Sequence, residues 1–254
     1  MSEFNLFTIL ALAVVCFSAS TLSTAIGFGM NIILLSIFQF LLPPVQLVAM
    51  ATALGLANAM IRMVGLRHID TRGATGRILI AGILGVPCGT AVLLLAPADL
   101  MKLFFSALVI VSALMLIMPS SIGASHGAMP RVKQGQIIFG ALGGFTAGAA
   151  GMPGPPVVWC GLRQNWDKSE AHAVFARFFV ATGLATLLIL WQKNAYDHLT
   201  VVVSMGLIPV VALGVFIGTK LRHRMSQAQF RRFAAWGLVV LGVLAAANTL
   251  LKMG

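Results

Sequence analysis

Residues 143–159 read Gly143-Gly144-Phe145-Thr146-Ala147-Gly148-Ala149-Ala150-Gly151-Met152-Pro153-Gly154-Pro155-Pro156-Val157-Val158-Trp159. This stretch lies inside an apolar run, yet its three prolines lack the backbone N–H groups that a helix requires. Each proline also keeps the residue before it out of the α region. We therefore predict that one helix ends near Ala150 and that another begins at about Pro155, where proline suits the first helical turn.

The composition is that of a membrane protein. Of the 254 residues, 59% are hydrophobic and 9% are charged, whereas soluble domains carry about 25% charged residues. We predict an all-α polytopic membrane protein with spans in the apolar runs 5–26, 45–64, 78–96, 100–118, 171–191 and 200–219, and a seventh in 230–251. The runs 29–42 and 155–165 are too short to span untilted, and the sequence leaves open whether they cross or turn back.

The net charge of +11 would suggest nucleic acid as a partner in a soluble chain. In a membrane protein the same cations follow the positive-inside rule, so we expect the lipid bilayer and no nucleic acid. Cys16, Cys88 and Cys160 stand in apolar runs without a CxxC motif or a nearby histidine. We interpret all three as small buried hydrophobic residues, and we expect no metal and no cofactor.

Two breaks in the apolar runs indicate an internal repeat. Gly27 and Gly151 correspond at an offset of 124 residues, and the motifs Gly85–Thr90 and Gly214–Thr219 correspond at an offset of 129. The Gly-x-x-x-Gly spacing in both motifs lets helix backbones approach closely. We predict two repeats, each a broken helical hairpin plus three transmembrane helices, at 1–120 and 134–254, joined by a cytoplasmic linker at 121–133.

The loop cations predict that the two repeats are inverted. Loop 65–77 holds Arg67, Arg72 and Arg77 with Arg62 just before it, whereas the equivalent loop 192–199 holds only Lys193 among Lys and Arg. The next pair of equivalent loops shows the opposite bias, because 97–99 has no cation and 220–232 is strongly basic. We therefore expect a multi-pass protein of the bacterial inner (cytoplasmic) membrane with both termini extracytoplasmic.

Inverted repeats place broken helices close together near the bilayer midplane, where helix N-termini suit an anion. We call residues 24–31 the first tip and residues 151–158 the second tip. Asn31 either donates to an anion or bonds a neighbouring carbonyl, and hydroxyls such as those of Thr24 and Thr146 either line the cavity or bond their own helix. The candidate substrate-binding residues are Thr24, Gly27, Phe28, Gly29, Asn31, Thr146, Gly151, Gly154, Pro155, Pro156 and Arg177.

Arg177 stands within the apolar run 171–191. A charged residue at such depth faces a cavity or a partner, so an anionic ligand explains it, while snorkelling toward the cytoplasmic interface is the alternative. Glu170 and His172 stand at the start of the same run. They could form a proton relay, the alternative for His172 being an interfacial anchor.

These features resemble the sulfite exporter TauE/SafE family. The second signature is Ala147-Gly148-Ala149-Ala150-Gly151-Met152-Pro153-Gly154-Pro155-Pro156, and the first is Ala25-Ile26-Gly27-Phe28-Gly29 followed by an apolar run to Pro43. Phe28 and Pro153 depart from the smaller residues usual in that family, which narrows the first tip. The resemblance implies a transporter of sulfite, sulfoacetate or a similar organosulfonate, driven by an ion gradient.

We therefore predict a secondary transporter that holds a small anion between the two tips, and not an enzyme. A passive anion channel and a membrane scaffold for a partner complex are the alternatives. The sequence does not identify the anion, the direction of transport or the coupling ion, and it leaves open whether the chain forms a homo-oligomer.

Overall fold

The computed structural model describes residues 6–69, 71, 74–117, 132–164, 166, 168–195 and 197–221. Within them the chain forms nine α-helices: α1 (Leu6–Ile26), α2 (Met30–Phe38), α3 (Pro44–Leu66), α4 (Ala74–Leu95), α5 (Ala98–Ile117), α6 (Val132–Ala150), α7 (Gly154–Arg163), α8 (Lys168–Gln192) and α9 (His198–Leu221). The predicted all-α class is confirmed. The predicted run 230–251 and most of the linker 121–133 lie outside the described residues, and Val132 and Lys133 already belong to α6.

Four helices in the described part of the chain are long and apolar enough to cross a membrane. They are Pro44–Leu66, Thr75–Leu95, Ser169–Gln192 and His198–Leu221. A further apolar stretch, Leu10–Ala25, belongs to α1 and is shorter. A helix of about 20 apolar residues spans the hydrocarbon core, so these elements are consistent with a multi-pass membrane protein.

The structure has an interruption between helices at each of the two predicted places. α6 ends at Ala150 and α7 begins at Gly154, one residue before the predicted start at Pro155. α1 ends at Ile26 and α2 begins at Met30. Gly27, Gly29 and Gly151 have φ angles of 108°, 107° and 64°, a region that side-chain-bearing L-residues rarely occupy, so glycine allows the chain to leave each helix.

Glycines bring two helix pairs into backbone contact. A Cβ on Gly89 of α4 would overlap the Phe145 carbonyl of α6, and a Cβ on Gly148 of α6 would overlap the Val86 carbonyl of α4. On α9, a Cβ on Gly214 would lie 2.8 Å from the Phe17 carbonyl of α1. The two Gly-x-x-x-Gly motifs therefore act as predicted, since the absence of a side chain lets the backbones touch.

The direction of neighbouring helices follows from which residues meet. On α4 and α6, Ile78 meets Gly140 and Val86 meets Gly148, so the two helices run parallel. α1 and α9 also run parallel, because the carbonyls of Phe17 and Thr21 meet Gly214 and Gly218 respectively.

The helices α3 and α8 run antiparallel through the centre of the described bundle. A Cβ on Gly183 of α8 would lie 3.5 Å from Leu56 of α3. Earlier on α8, Arg177 bonds the Ile69 carbonyl beyond the end of α3, at 3.0 Å.

One expectation about the cysteines is wrong. Cys16 and Cys160 are buried, as predicted, but Cys88 is exposed. Cys88 shares an outward face of α4 with Ile80 and Leu84, one helical turn apart each, which are also exposed. The buried face of α4 is instead the one that carries Val86 and Gly89.

Candidate anion site

The two tips meet in the interior of the bundle. The Asn31 side chain at the start of α2 donates a hydrogen bond from Nδ2 to the Gly151 carbonyl of the second tip. A Cβ on Gly154 would lie 3.3 Å from the Phe28 ring of the first tip. The breaks are far apart in sequence, so this contact is a product of the tertiary fold.

A cavity of about 40 Å³ lies where the tips meet. Its walls are the two tips together with facing surfaces of α3 and α8, which contribute Thr52, Gly55, Leu56, Asn58 and Arg62 from α3, and Phe179, Thr182, Gly183 and Thr186 from α8. A volume of this size has room for a few water molecules or a small ion.

Two buried polar atoms of residues that line the cavity have no hydrogen-bond partner among the residues that the structure describes. They are Oγ1 of Thr52 and Oδ1 of Asn31. Thr182 and Thr186 differ, because their hydroxyls donate to carbonyls of their own helix at 2.8 and 2.9 Å. Buried polar atoms normally have a partner, so the Thr52 hydroxyl marks a place where a bound solute or water is expected.

Arg62 supplies positive charge to the cavity. Arg62 is only 7% exposed. Its guanidinium donates one hydrogen bond to the Gly27 carbonyl at 2.7 Å and another to Oδ1 of Asn58 at 3.5 Å. Among the described residues that line the cavity, no other is charged. A buried guanidinium with five donors is well suited to an oxyanion, because it can bond the protein and a ligand at once.

The sequence did not predict Arg62 as a residue of the anion site, because Arg62 was grouped with the cations of the loop that follows it. It belongs instead to the last full turn of α3 and faces inward. The sequence does carry a signal, since Thr52, Gly55, Asn58 and Arg62 recur at helical spacing and form one polar stripe on an otherwise apolar helix.

A hydrogen-bond chain anchors the middle of that stripe to α1. Asn58 donates to the Ser20 hydroxyl at 2.9 Å, and that hydroxyl donates to the Val211 carbonyl of α9 at 2.7 Å. Asn58 is 2% exposed. It thus fixes α1, α3 and α9 relative to one another and holds Arg62 in place.

Six of the eleven predicted binding residues line the cavity: Phe28, Gly29, Asn31, Gly151, Gly154 and Pro155. Gly27 is adjacent, and its carbonyl holds Arg62. The structure does not place Thr24, Thr146, Pro156 or Arg177 on the cavity wall. Thr24 and Thr146 bond their own helices, through the carbonyls of Ser20 and Gly143, which was the alternative interpretation for such hydroxyls.

Arg177 lies at one end of the bundle, away from the cavity. Its guanidinium donates to the Thr71 hydroxyl at 2.7 Å and to the Ile69 carbonyl at 3.0 Å. These atoms belong to the segment between α3 and α4, which is the loop predicted to be cytoplasmic. The position matches the alternative in which Arg177 extends toward that interface.

The two residues of the predicted proton relay lie near the start of α8. His172 is 4% exposed, and its ring packs against the first tip, so that a Cβ on Gly27 would lie 2.8 Å from Nε2. Glu170 is half-buried in the first turn of α8. His172 is thus a packed residue behind the first tip and does not line the central cavity.

Alanine substitutions at the first tip separate backbone strain from side-chain overlap. Both Gly27 and Gly29 have φ near +107°, but only Gly27 is crowded, since the nearest atom to a Cβ on Gly29 is 3.9 Å away. We expect Gly29→Ala to lower stability by about 1–2 kcal/mol through strain alone. Gly27→Ala should cost clearly more, because His172 must move.

The measurement is thermal unfolding of the purified protein in detergent. Gly65→Ala is the control, because a Cβ there has open space. Equal losses of stability in Gly27→Ala and Gly29→Ala would contradict the packing of His172 against the tip.

Long apolar helices around a small internal cavity, with Arg62 on its wall, define a multi-pass membrane protein. The chain belongs to the sulfite exporter TauE/SafE family, whose family model matches residues 12–245. This is a family of membrane transporters and not of enzymes. A relative from Cupriavidus necator, named a probable sulfite/organosulfonate exporter TauE, is 29% identical over 230 residues, which cover 86% of each chain. No solved structure matches this chain significantly.

Proposed function

We propose that this protein is a secondary transporter of a small sulfur oxyanion or organosulfonate, and that the anion binds in the central cavity between the two tips. The observation that carries the proposal is that buried Arg62 and a Thr52 hydroxyl without a partner in the described part of the chain line the same cavity. Charge attraction and hydrogen-bond donation to the same small volume are what an oxyanion requires.

The backbone of the first tip adds further donors. The first N–H groups of α2, at Met30 and Asn31, have no partner within their own helix, and they lie at the positive end of its dipole. Met30 and Asn31 both line the cavity. The second tip contributes fewer donors, because Pro153 and Pro155 have no N–H.

The substrate class follows from the family and from a relative. The Cupriavidus necator protein is named a probable exporter of sulfite or organosulfonates. Sulfite and the sulfonate group each present three oxygens on a compact centre, which match several donors in a cavity of about 40 Å³.

The contacts between helices support two repeats. Gly85 of α4 meets the Ala141 carbonyl of α6, and Gly214 of α9 meets the Phe17 carbonyl of α1. The glycines differ by the repeat offset of 129, and the carbonyl residues differ by the repeat offset of 124. One turn later the same relation joins Gly89 with Phe145, and Gly218 with Thr21.

The helix directions support inversion of those repeats. α3 and α8 occupy equivalent places in the two halves and run antiparallel. We infer that the halves are related by an axis in the membrane plane, with the segment 67–73 in the cytoplasm and both chain termini outside the inner membrane. Rocking of one half against the other would then expose the cavity to either side in turn.

Replacing Thr52 with valine tests the site. The Thr52 hydroxyl bonds no atom of the described residues, so its loss leaves the ligand-free protein as stable or more stable. We expect the affinity for sulfite to fall about tenfold, which corresponds to one hydrogen bond to an ion. The measurement is the shift of the unfolding temperature with sulfite and with sulfoacetate, because a ligand of the folded state raises apparent stability.

Thr186→Val is the matched control, since its hydroxyl lines the same cavity but bonds the Thr182 carbonyl. Unchanged sulfite and sulfoacetate responses in Thr52→Val would overturn the binding site. A wild-type protein that responds to neither anion would favour the scaffold alternative. Ohmic anion currents across a lipid bilayer would favour the channel.

A further inference from the structure

A second cavity of about 490 Å³ adjoins the first tip. It lies among the C-terminal ends of α1, α3 and α9 and the start of α8, and its lining includes Thr24, Arg62, His172, Thr219 and Lys220. The remaining walls are largely apolar, from residues such as Ile61, Leu66, Val215 and Phe216. This cavity is about ten times larger than the central one.

Two cationic side chains line the second cavity. Arg62 and Lys220 both line it, and its described lining contains no Asp or Glu. Lys220 is exposed, and its ammonium lies 4.3 Å from the centre of the Phe216 ring. A wall of one charge sign with apolar surroundings raises the local concentration of ions of the opposite sign.

Arg62 belongs to the walls of both cavities. Its hydrogen bond to the Gly27 carbonyl ties the first tip to α3 between them. Behind Gly27 stands the His172 ring, which lines the second cavity but not the central one. The first tip and Arg62 therefore form the partition between a large outer chamber and a small inner one.

The geometry points to a second anion subsite in this larger cavity. This subsite binds the oxyanion on the side of the membrane where α3 and α9 end. The ion then moves to the central cavity along Arg62, which lines both cavities. The ligand is an oxyanion whose organic part, in a sulfonate, packs against the apolar walls. The subsite rests on the proposed transport function and deepens it, because it assigns Lys220 a role in capture and not in the central site.

The test is the kinetics of Lys220→Gln in inverted membrane vesicles, whose cytoplasmic face is outward, with radiolabelled sulfite and sulfoacetate as probes. We expect KM to rise about three- to tenfold with the maximal rate unchanged, because capture weakens while the central site stays intact. Salt should raise the KM of the wild type more steeply than that of the variant. Salt screens the attraction between the anion and the exposed Lys220 ammonium, and the variant lacks that ammonium.

Lys220→Arg keeps the charge and should keep the wild-type KM. Lys193→Gln is the matched control, because Lys193 is an exposed lysine after the opposite end of α8. In right-side-out vesicles Lys220→Gln should leave KM unchanged.

Saturable wild-type flux combined with an unchanged KM and salt dependence in Lys220→Gln would overturn the subsite and leave the transporter standing. A fall in maximal rate at constant KM would also overturn it, since that pattern assigns Lys220 to the transport step. Absence of any saturable wild-type flux of either probe would instead refute the proposed function itself.

Discussion

Arg62→Gln is expected to lower sulfite transport by at least about 100-fold. Glutamine keeps a polar side chain at the position but removes the charge that lines both cavities. An anion in the central cavity would then lie in a poorly solvated site without its counter-charge, which costs about 3–5 kcal/mol for a buried ion pair that loses one partner. The measurement is initial uptake of labelled sulfite into proteoliposomes.

The control is Arg67→Gln, five residues further along the chain, because Arg67 is exposed and does not line the central cavity. Arg62 also holds the Gly27 carbonyl, so thermal unfolding must show that Arg62→Gln is folded. Arg62→Lys gives a second measure: it retains the charge and should recover part of the flux. Full activity in a folded Arg62→Gln protein would remove Arg62 from the site.

Gly89→Leu is expected to prevent stable folding, at a cost of at least about 3 kcal/mol. A Cβ at this position overlaps the backbone of α6, at the Phe145 carbonyl and the Ala149 nitrogen. Overpacking usually costs about 1–3 kcal/mol when side chains can move aside. Here a helix backbone must move, so we place the cost at the upper end or beyond.

Gly76→Leu on the same helix is the matched control, because a Cβ there meets nothing within 4 Å. The proposed repeat extends the test to α9, where Gly218→Leu should match Gly89→Leu and where Gly206→Leu, also in open space, should be tolerated. Yield of monodisperse protein and its unfolding temperature measure both pairs. A well-folded Gly89→Leu protein would contradict the close packing of α4 on α6.

The helix breaks could be predicted from the sequence because their causes are local. Three prolines close together remove N–H groups, and glycines permit the positive φ that ends a helix. The structure accordingly places the end of α6 at Ala150, as predicted, and the start of α7 within one residue. The pairing of helices needed more than local chemistry, and only the glycine motifs at Gly85 and Gly214 gave a hint of it.

The charged residue of the site was harder to predict. Arg177 and Arg62 each stand near an end of an apolar run, and burial distinguishes them only after the helices are packed. Arg177 is the seventh residue of the run 171–191, and Ile69 and Thr71 after α3 lie within hydrogen-bond distance of its guanidinium. Arg62 lies near the end of its apolar run, yet the first tip packs beside that end of α3, so that the Gly27 carbonyl accepts a hydrogen bond from Arg62.

The hydroxyls show a similar limit. Thr52 and Thr146 both stand in apolar helices, and from the sequence we predicted Thr146 as a binding residue and did not single out Thr52. The structure distinguishes them by their partners, since the Thr146 hydroxyl bonds the Gly143 carbonyl, whereas the Thr52 hydroxyl has no partner within the described ranges. Such a difference depends on helix rotation and packing, which residue type alone does not determine.

Arg62 is the one charged side chain among the described residues that line the inner chamber, and this bears on the charge of the ion that binds there. Burying a compact dianion such as sulfate costs more than burying a compact monoanion such as hydrogen sulfite, because the desolvation cost rises with the charge on the group. On the proposed function, the protein should therefore discriminate against sulfate even where its size would fit.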